Sequence, residues 1–149
     1  MESLRLEIAR HTDVPALLGM MEPFNAFEHV PWRPSAMDSA LRKLLADPAL
    51  GVAGLFLRGS VTVGYCVVTW GYDLEWAGRD AFLTELFLVP EVRGQGLGSQ
   101  AMALLEQLAK KQGARALHLM VRAENTPALR LYERQGYQSP PRIFFSKEL

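Results

Sequence analysis

Apolar and polar positions alternate in some stretches of the chain and recur at helical spacing in others, and these two periods set out its elements. Leu4, Leu6 and Ile8 alternate with Arg5, Glu7 and Ala9, which predicts a first strand. Thr12 is placed to cap a helix in which Val14, Leu17, Leu18 and Met21 share a face, with Pro15 tolerated in the first turn. Pro23, Pro31 and Pro34 then predict a loop carrying Phe24, Phe27, His29 and Trp32. Ser35 to Asp38 has the form of a capping box with Asp for Glu, opening a helix with Met37, Leu41, Leu44 and Leu45 on one side. Two apolar runs, Val52 to Leu57 and Val61 to Trp70, are separated by Arg58-Gly59-Ser60 and predict a hairpin. A polar loop from Gly71 to Asp80 is expected before the next strand, Ala81 to Val89. After a glycine-rich turn, Leu97, Ala101, Leu104, Leu105 and Leu108 form the stripe of a long helix that Gly113 ends. A strand from Ala116 to Val121, a short helix begun by Thr126 and Pro127 and stopped at Gly136, and a last strand from Ile143 to Ser146 complete the chain.

The order β-α-α-β-β-β-α-β-α-β predicts one α/β domain (of α+β type) over residues 1–149. Hairpin-linked strands pair antiparallel and the late β-α-β crossover pairs parallel, giving a mixed, mostly antiparallel central sheet flanked by helices. At 149 residues and 49% apolar, the chain is large enough to bury a core. The 16 basic residues equal the 16 acidic ones, which gives no support to nucleic-acid or anionic-lipid binding. No apolar run approaches the ~18 residues of a membrane span, and Met1 to Arg5 has no apolar leader pattern, so a cytoplasmic location is expected. The single cysteine, Cys66, allows neither an internal disulfide nor a cysteine metal cluster, and reads as a small buried apolar residue. No metal is expected.

Arg93-Gly94-Gln95-Gly96-Leu97-Gly98 joins a strand to a helix. A helix start offers free N–H groups and a positive dipole end, and glycines let that backbone approach an anion. A nucleoside triphosphate loop would need Gly-Lys-Ser/Thr, and Gly98-Ser99-Gln100 lacks the lysine. A dinucleotide turn would need a glycine at Ser99 and a place in the first βαβ unit, and neither holds. What remains is Arg-x-x-Gly-x-Gly.

The segment from Leu86 to Gly98 resembles the acyl-CoA-binding motif of the GNAT superfamily of N-acetyltransferases. Asn125 to Tyr137, with Asn125, Ala128, Tyr132, Gly136 and Tyr137 in step, is similar to that family's second signature. The resemblance implies acetyl-CoA as cosubstrate. It implies that the backbone of Leu86, Phe87 and Leu88 pairs with the pantetheine arm, which the Asn125 amide also meets. It further implies that Arg93, Gly94, Gln95, Gly96, Leu97, Gly98 and Ser99 hold the pyrophosphate, and that Tyr132 stands near the thioester sulfur. A backbone N–H of the Phe87–Leu88 stretch is expected to face the oxyanion.

Transfer to an amine needs a proton acceptor and a proton donor. Tyr132, a phenol protonated at neutral pH, suits the donor. Glu85 interrupts an apolar strand, where burial raises a carboxyl pKa, and is the candidate base unless a neighbouring arginine pairs with it. His118 reads as a partnered strand histidine. Val63-Gly64-Tyr65, Gly71-Tyr72-Asp73 and Leu83 to Leu88 resemble diamine and polyamine acetyltransferases more loosely, and Glu28, Asp73, Glu75 and Asp80 could attract a cationic amine. Phe24, Phe27, Trp32, Tyr72, Asp73 and Glu85 are the acceptor-side candidates, with Trp76 nearby; the aromatic residues equally suit a seam in a homodimer. Met120 stands where relatives acting on protein N-termini often carry glutamate, which weighs against a protein amine. The expected activity is acetyl transfer from acetyl-CoA to a primary amine, with a small polyamine or an amino-acid-like molecule as the candidate acceptors. Another acyl donor, an oxygen acceptor, a protein amine acceptor and a noncatalytic acyl-CoA-binding regulatory module are the alternatives.

Overall fold

The computed structural model describes residues 2–149. Five strands, β1 (Leu4–Ile8), β2 (Gly51–Arg58), β3 (Val61–Asp73), β4 (Gly78–Leu88) and β5 (Leu117–Leu119), form one sheet in sequential order. The first four pair antiparallel and β5 pairs parallel to β4. Helices α1 (Val14–Phe27) and α2 (Pro34–Ala46) cover one face of the sheet, and α3 (Leu97–Lys111) with α4 (Thr126–Arg134) covers the other. The α/β class, the mixed sheet and the hairpin at Gly59 all agree with the sequence.

Each face has its own core. Val14, Leu17 and Met21 of α1 and Leu41 of α2 pack on Ala53, Leu55, Tyr65, Val67 and Phe87. Leu97, Ala101, Met102 and Leu105 of α3 pack on Phe56, Cys66, Val68, Ala81 and Leu83. The α3 end is a left-handed stop at Gly113 (φ 83), with Ala114 N–H donating to Ala109 O and Gly113 N–H to Lys110 O.

Several expected boundaries are corrected. The predicted loop at Pro23 is instead the last turn of α1, which carries Phe24 and Phe27. A mid-helix proline costs about 3 kcal/mol, and burial of the stripe through Met21, with Asn25 Nδ2 donating to Met21 O, outweighs it. Thr12 lies in a 3₁₀ turn; Asp13 precedes α1, its carboxylate accepting the Arg10 N–H. The Ser35–Asp38 box does not form. Pro34 is the first residue of α2, and Asp38 pairs with Arg42 one turn on. The Gly71–Asp80 loop shrinks to residues 74–77, because β3 and β4 stay paired to Asp73 and Gly78. The Ala116–Val121 strand is reduced to β5, and Asn125 rather than Thr126 caps α4. The strand expected at Ile143–Ser146 is not formed: this segment is exposed and pairs with none of the five strands.

Candidate active site

Sequence makes the glycine turn left-handed at two points. Gly94 (φ 74) and Gly96 (φ 76) lie where a Cβ is strained by about 1–2 kcal/mol, although nothing lies within 4 Å of where one would be. The space beside them is therefore open to a ligand. Gly96 precedes α3, no side chain caps that helix, and buried Leu97 anchors its first turn, so the first N–H groups are free for an anion. Gly98 serves packing as well. A Cβ there would come 3.0 Å from Leu131, so this glycine lets α4 approach α3. Ser99 follows it, half-buried in the same turn. Gln95 is clipped to β2 by Arg58 at 2.8 Å and bonds Glu91 O at 3.2 Å. Arg93 turns back on β4: its guanidinium lies 5.3 Å from the Phe87 ring centre and its Nε donates to Leu88 O at 2.8 Å.

One edge of β4 is open beyond Leu83, where pairing with β5 stops. Val89 N–H donates toward β3, to Val63 O, so alternation turns the main-chain groups of Leu86 and Leu88 to the open side and those of Phe87 inward. The Arg93 bond to Leu88 O agrees with that direction. Leu86 and Leu88 can thus pair with an extended ligand, whereas Phe87 contributes its ring to the core.

A bulge at Thr84 places Glu85. Val67 faces Glu85 and Val68 faces Leu83, leaving Thr84 unopposed, its hydroxyl donating to Val67 O at 3.2 Å. Ala81 and Leu83 point toward α3, and after the bulge it is Leu86 and Leu88 that do so. Glu85 and Phe87 are thereby switched to the α1–α2 side. There Glu85 borders a cavity of about 140 Å³ lined by Met21, Met37, Leu41, Leu44 and Val67. No arginine reaches it; the Tyr65 hydroxyl donates to its Oε1 at 2.7 Å. Burial raises the Glu85 pKa above the usual carboxylate range, and the Tyr65 bond partly opposes that rise. Tyr65 is fully buried, held between Phe24 (6.1 Å, edge-on) and Phe87 (6.0 Å).

Tyr132 is positioned by the end of α4. Gly136 (φ 90) closes the helix with Tyr137 N–H donating to Tyr132 O, which stacks the Tyr137 ring edge-on against Tyr132 at 6.1 Å. Tyr137 OH in turn donates to Glu106 of α3 at 3.1 Å. Burial, and then the Glu28 carboxylate at the end of α1, raise the Tyr132 pKa, so the phenol keeps its proton. Asn125 accepts the Ala128 N–H with its side-chain oxygen, leaving its NH₂ unused by the cap. Arg122 pairs with Glu124 and reaches Glu28 O, tying the loop before α4 to α1.

Phe24 and Trp32 pack on the Glu85 side of the sheet, and Phe27 is exposed on the last turn of α1. Tyr72 and Asp73 are not brought to Glu85. They sit five and six strand positions beyond Val67, roughly 17–20 Å away, with Tyr72 75% exposed and Asp73 capping the turn at Glu75. Asp80 bonds His118 at 3.1 Å and Glu75 bonds Arg142 at 2.7 Å, so both acids are already paired. Cys66 is buried and its thiol is pushed up to about 12, which suits a core residue. Tyr65 is the residue that sequence reasoning left without a role. Its only signal was a polar atom in an apolar strand, and its partner depends on strand register.

The family model of the acetyltransferase (GNAT) family matches residues 17–137. The chain belongs to the GNAT family. Among its relatives, the thialysine N-epsilon-acetyltransferase of Mus musculus is 28% identical over 93% of this chain and 86% of its own length. An acetyltransferase of Pectobacterium atrosepticum is 30% identical over 98% of this chain and 96% of its own. Among solved structures, an integron cassette protein from the Cole Harbour salt marsh metagenome superposes with TM-score 0.84 at 30% identity, covering 97% of this chain and 90% of that one. An aminoglycoside N-acetyltransferase solved in complex with CoA superposes with TM-score 0.82 at 15% identity over 99% and 96% of the two chains, which shows the shared fold.

This GNAT chain is accordingly an N-acetyltransferase, and acetyltransferases of the family use acetyl-CoA. Its residues fit that molecule. The open left-handed turn and uncapped α3 start suit a pyrophosphate, and the outward groups of Leu86 and Leu88 suit an amide-bearing arm. Among the described residues no three metal-ligating side chains come together, and no helix is long and apolar enough to cross a membrane.

Proposed function

We propose that this GNAT enzyme acetylates the primary amine of a small cationic molecule, with Glu85 as proton acceptor and Tyr132 as proton donor. Glu85 carries the reading. It is a mostly buried carboxylate with no cationic partner among the described residues, turned by the Thr84 bulge to the α1–α2 face beside the open edge of β4. Such a group favours a cation while it is charged and takes a proton readily because burial has raised its pKa.

When bound, acetyl-CoA supplies an activated thioester. The protein orients and moves protons around it. Arg93, Gly94, Gln95, Gly96, Leu97, Gly98 and Ser99 form the anion cradle, Gly98 by admitting α4, and Leu86, Leu88 and the free Asn125 amide hold the arm. The Leu88 N–H faces the open edge and is the donor placed for developing negative charge. Glu85 accepts the proton that the amine loses. Tyr132, kept neutral by burial and by Glu28, donates to the departing sulfur.

On the acceptor side, Phe24 and Trp32 give apolar walls, Phe27 the rim, and Glu28 a second negative group. The thialysine-acetylating relative spans nearly the whole chain and supports an amine of lysine-like length. A short acceptor does not reach Tyr72 and Asp73, roughly 17–20 Å from Glu85; these two suit only a long polyamine. Calorimetric binding of acetyl-CoA followed by thiol-release assays on thialysine, lysine, diamines and polyamines tests the assignment. Glu85→Gln is expected to lower the rate about 100-fold, chiefly at low pH where the amine is protonated, with acetyl-CoA affinity nearly intact. Tight acetyl-CoA binding without turnover on any amine would instead identify a binding module.

A further inference from the structure

The main-chain N–H groups at the start of α3 carry only partial charge, whereas CoA brings fully charged phosphates. The arginine that heads the turn aims its charge elsewhere. Arg93 folds back on β4, with its Nε on Leu88 O at 2.8 Å and its guanidinium beside the Phe87 ring. A second guanidinium reaches the turn from another element. Arg58 Nη1 donates to Gln95 Oε1 at 2.8 Å, and Gln95 stands between Gly94 and Gly96, where both missing Cβ positions look onto open space. Gln95 Nε2 donates to Glu91 O at 3.2 Å, which fixes the amide with its oxygen toward Arg58.

The fold decides that Arg58 arrives there. It is the last residue of β2, opposite Leu4 of β1 and Val61 of β3. Side chains alternate along a strand, so Arg58 shares a face with Phe56, which lies in the α3 core together with Leu4. One position earlier or later, the same side chain would face α1 and α2. Leu4 N–H donates to Gln100 Oε1 at 2.9 Å, which ties this end of the sheet to the first turn of α3. Arg58 is half-buried and its charge is uncompensated. Glu2 lies against the neighbouring Gly59, yet no carboxylate forms an ion pair with Arg58 among the described residues. Its partner is a neutral amide that occupies one arm of the fork. A planar guanidinium fork matches a phosphate in both geometry and charge, which an amide does not.

We propose that Arg58 is a cofactor-binding residue, which leaves or shares the Gln95 amide to hold a phosphate group of acetyl-CoA. This rests on acetyl-CoA as the acyl donor, and it extends the cradle from the β4–α3 turn to the end of β2. The molecule offers two such groups, the pyrophosphate and the 3′-phosphate. Both have the chemistry that a guanidinium recognises, and acetyl-dephospho-CoA, which lacks the 3′-phosphate, separates them.

Calorimetric titration of the full chain and its variants with acetyl-CoA and acetyl-dephospho-CoA tests this. Arg58→Gln is expected to weaken acetyl-CoA binding about 10–100-fold, the range for a hydrogen bond to a charged group. It should also flatten the salt dependence of binding, because one cation fewer meets the ligand. Arg58→Lys keeps the charge without the fork and should recover part of the loss. In the Gln95→Ala background, Arg58→Gln should still cost about tenfold or more, since the contact is with the ligand and not with Gln95. Equal losses with the two ligands support the pyrophosphate as the group held, and a loss with acetyl-CoA alone supports the 3′-phosphate. Two results overturn the proposal: unchanged affinity and salt dependence in Arg58→Gln, or a loss that vanishes in the Gln95→Ala background, which would make Arg58 only a clip for the turn. A parent chain that binds no acetyl-CoA overturns the choice of acyl donor as well.

Discussion

Removing one oxygen atom from Tyr65 probes the proposed base without touching it. In Tyr65→Phe the ring remains between Phe24 and Phe87, and only the hydroxyl that donates to Glu85 Oε1 at 2.7 Å is lost. A hydrogen bond to a charged group is worth about 1.5–3 kcal/mol, and 1.36 kcal/mol corresponds to one pKa unit, so the Glu85 pKa should rise by roughly 1–2 further units. The assay is kcat/KM for amine acetylation from about pH 5.5 to pH 9.5, on the acetyl-CoA-saturated enzyme. The acidic limb should move up by that amount, while activity above it returns toward that of the parent enzyme. The amine's own titration is common to both proteins and cancels in their ratio. Stability provides a second readout. Because the folded-state pKa of Glu85 is raised, folding binds its proton more tightly than the unfolded chain does. Its contribution is fully present below the ordinary carboxylate value and is lost as pH rises through the raised one. Tyr65→Phe should widen that loss by about 1.5–3 kcal/mol between acid and neutral pH. An acidic limb that stays in place, or activity reduced by the same factor at every pH, would refute the reasoning.

Tyr132→Phe should lower kcat about 100-fold, in the range of general-acid catalysis, while acetyl-CoA affinity by calorimetry changes little. Gly96→Ala meets open space but not an open backbone. It should lose about 1–2 kcal/mol in thermal unfolding and weaken acetyl-CoA binding, because the α3 start must tilt to relieve the strain. Asn125→Ala removes the α4 cap and should cost about 0.5–2 kcal/mol of stability, with a further fall in acetyl-CoA affinity if its NH₂ meets the pantetheine arm. Calorimetry at matched folded fractions separates those two effects.

What the sequence determined by itself was local. Gly94 and Gly96 were legible because a left-handed turn makes its demand on single residues, and Gly136 was legible as a helix stop for the same reason. Apolar periods and caps marked four helices and six strands, five of which form, since each period reflects one element against one core. The α1 overrun past Pro23 shows the limit of local signals, because burial of a distant face outweighed the proline. Only the tertiary structure decided which way Glu85 points. Simple alternation from Ala81 and Leu83 sends it toward α3; the extra residue at Thr84, visible only against β3, sends it to Tyr65. Gly98 read as a phosphate glycine, and only the fold shows that it is also the gap for Leu131, a residue 33 positions away. The Ile143–Ser146 segment has the sequence of a strand but no partner within one copy. Whether a strand forms depends on the edge it meets, and a strand without a partner has nowhere to place its main-chain hydrogen bonds.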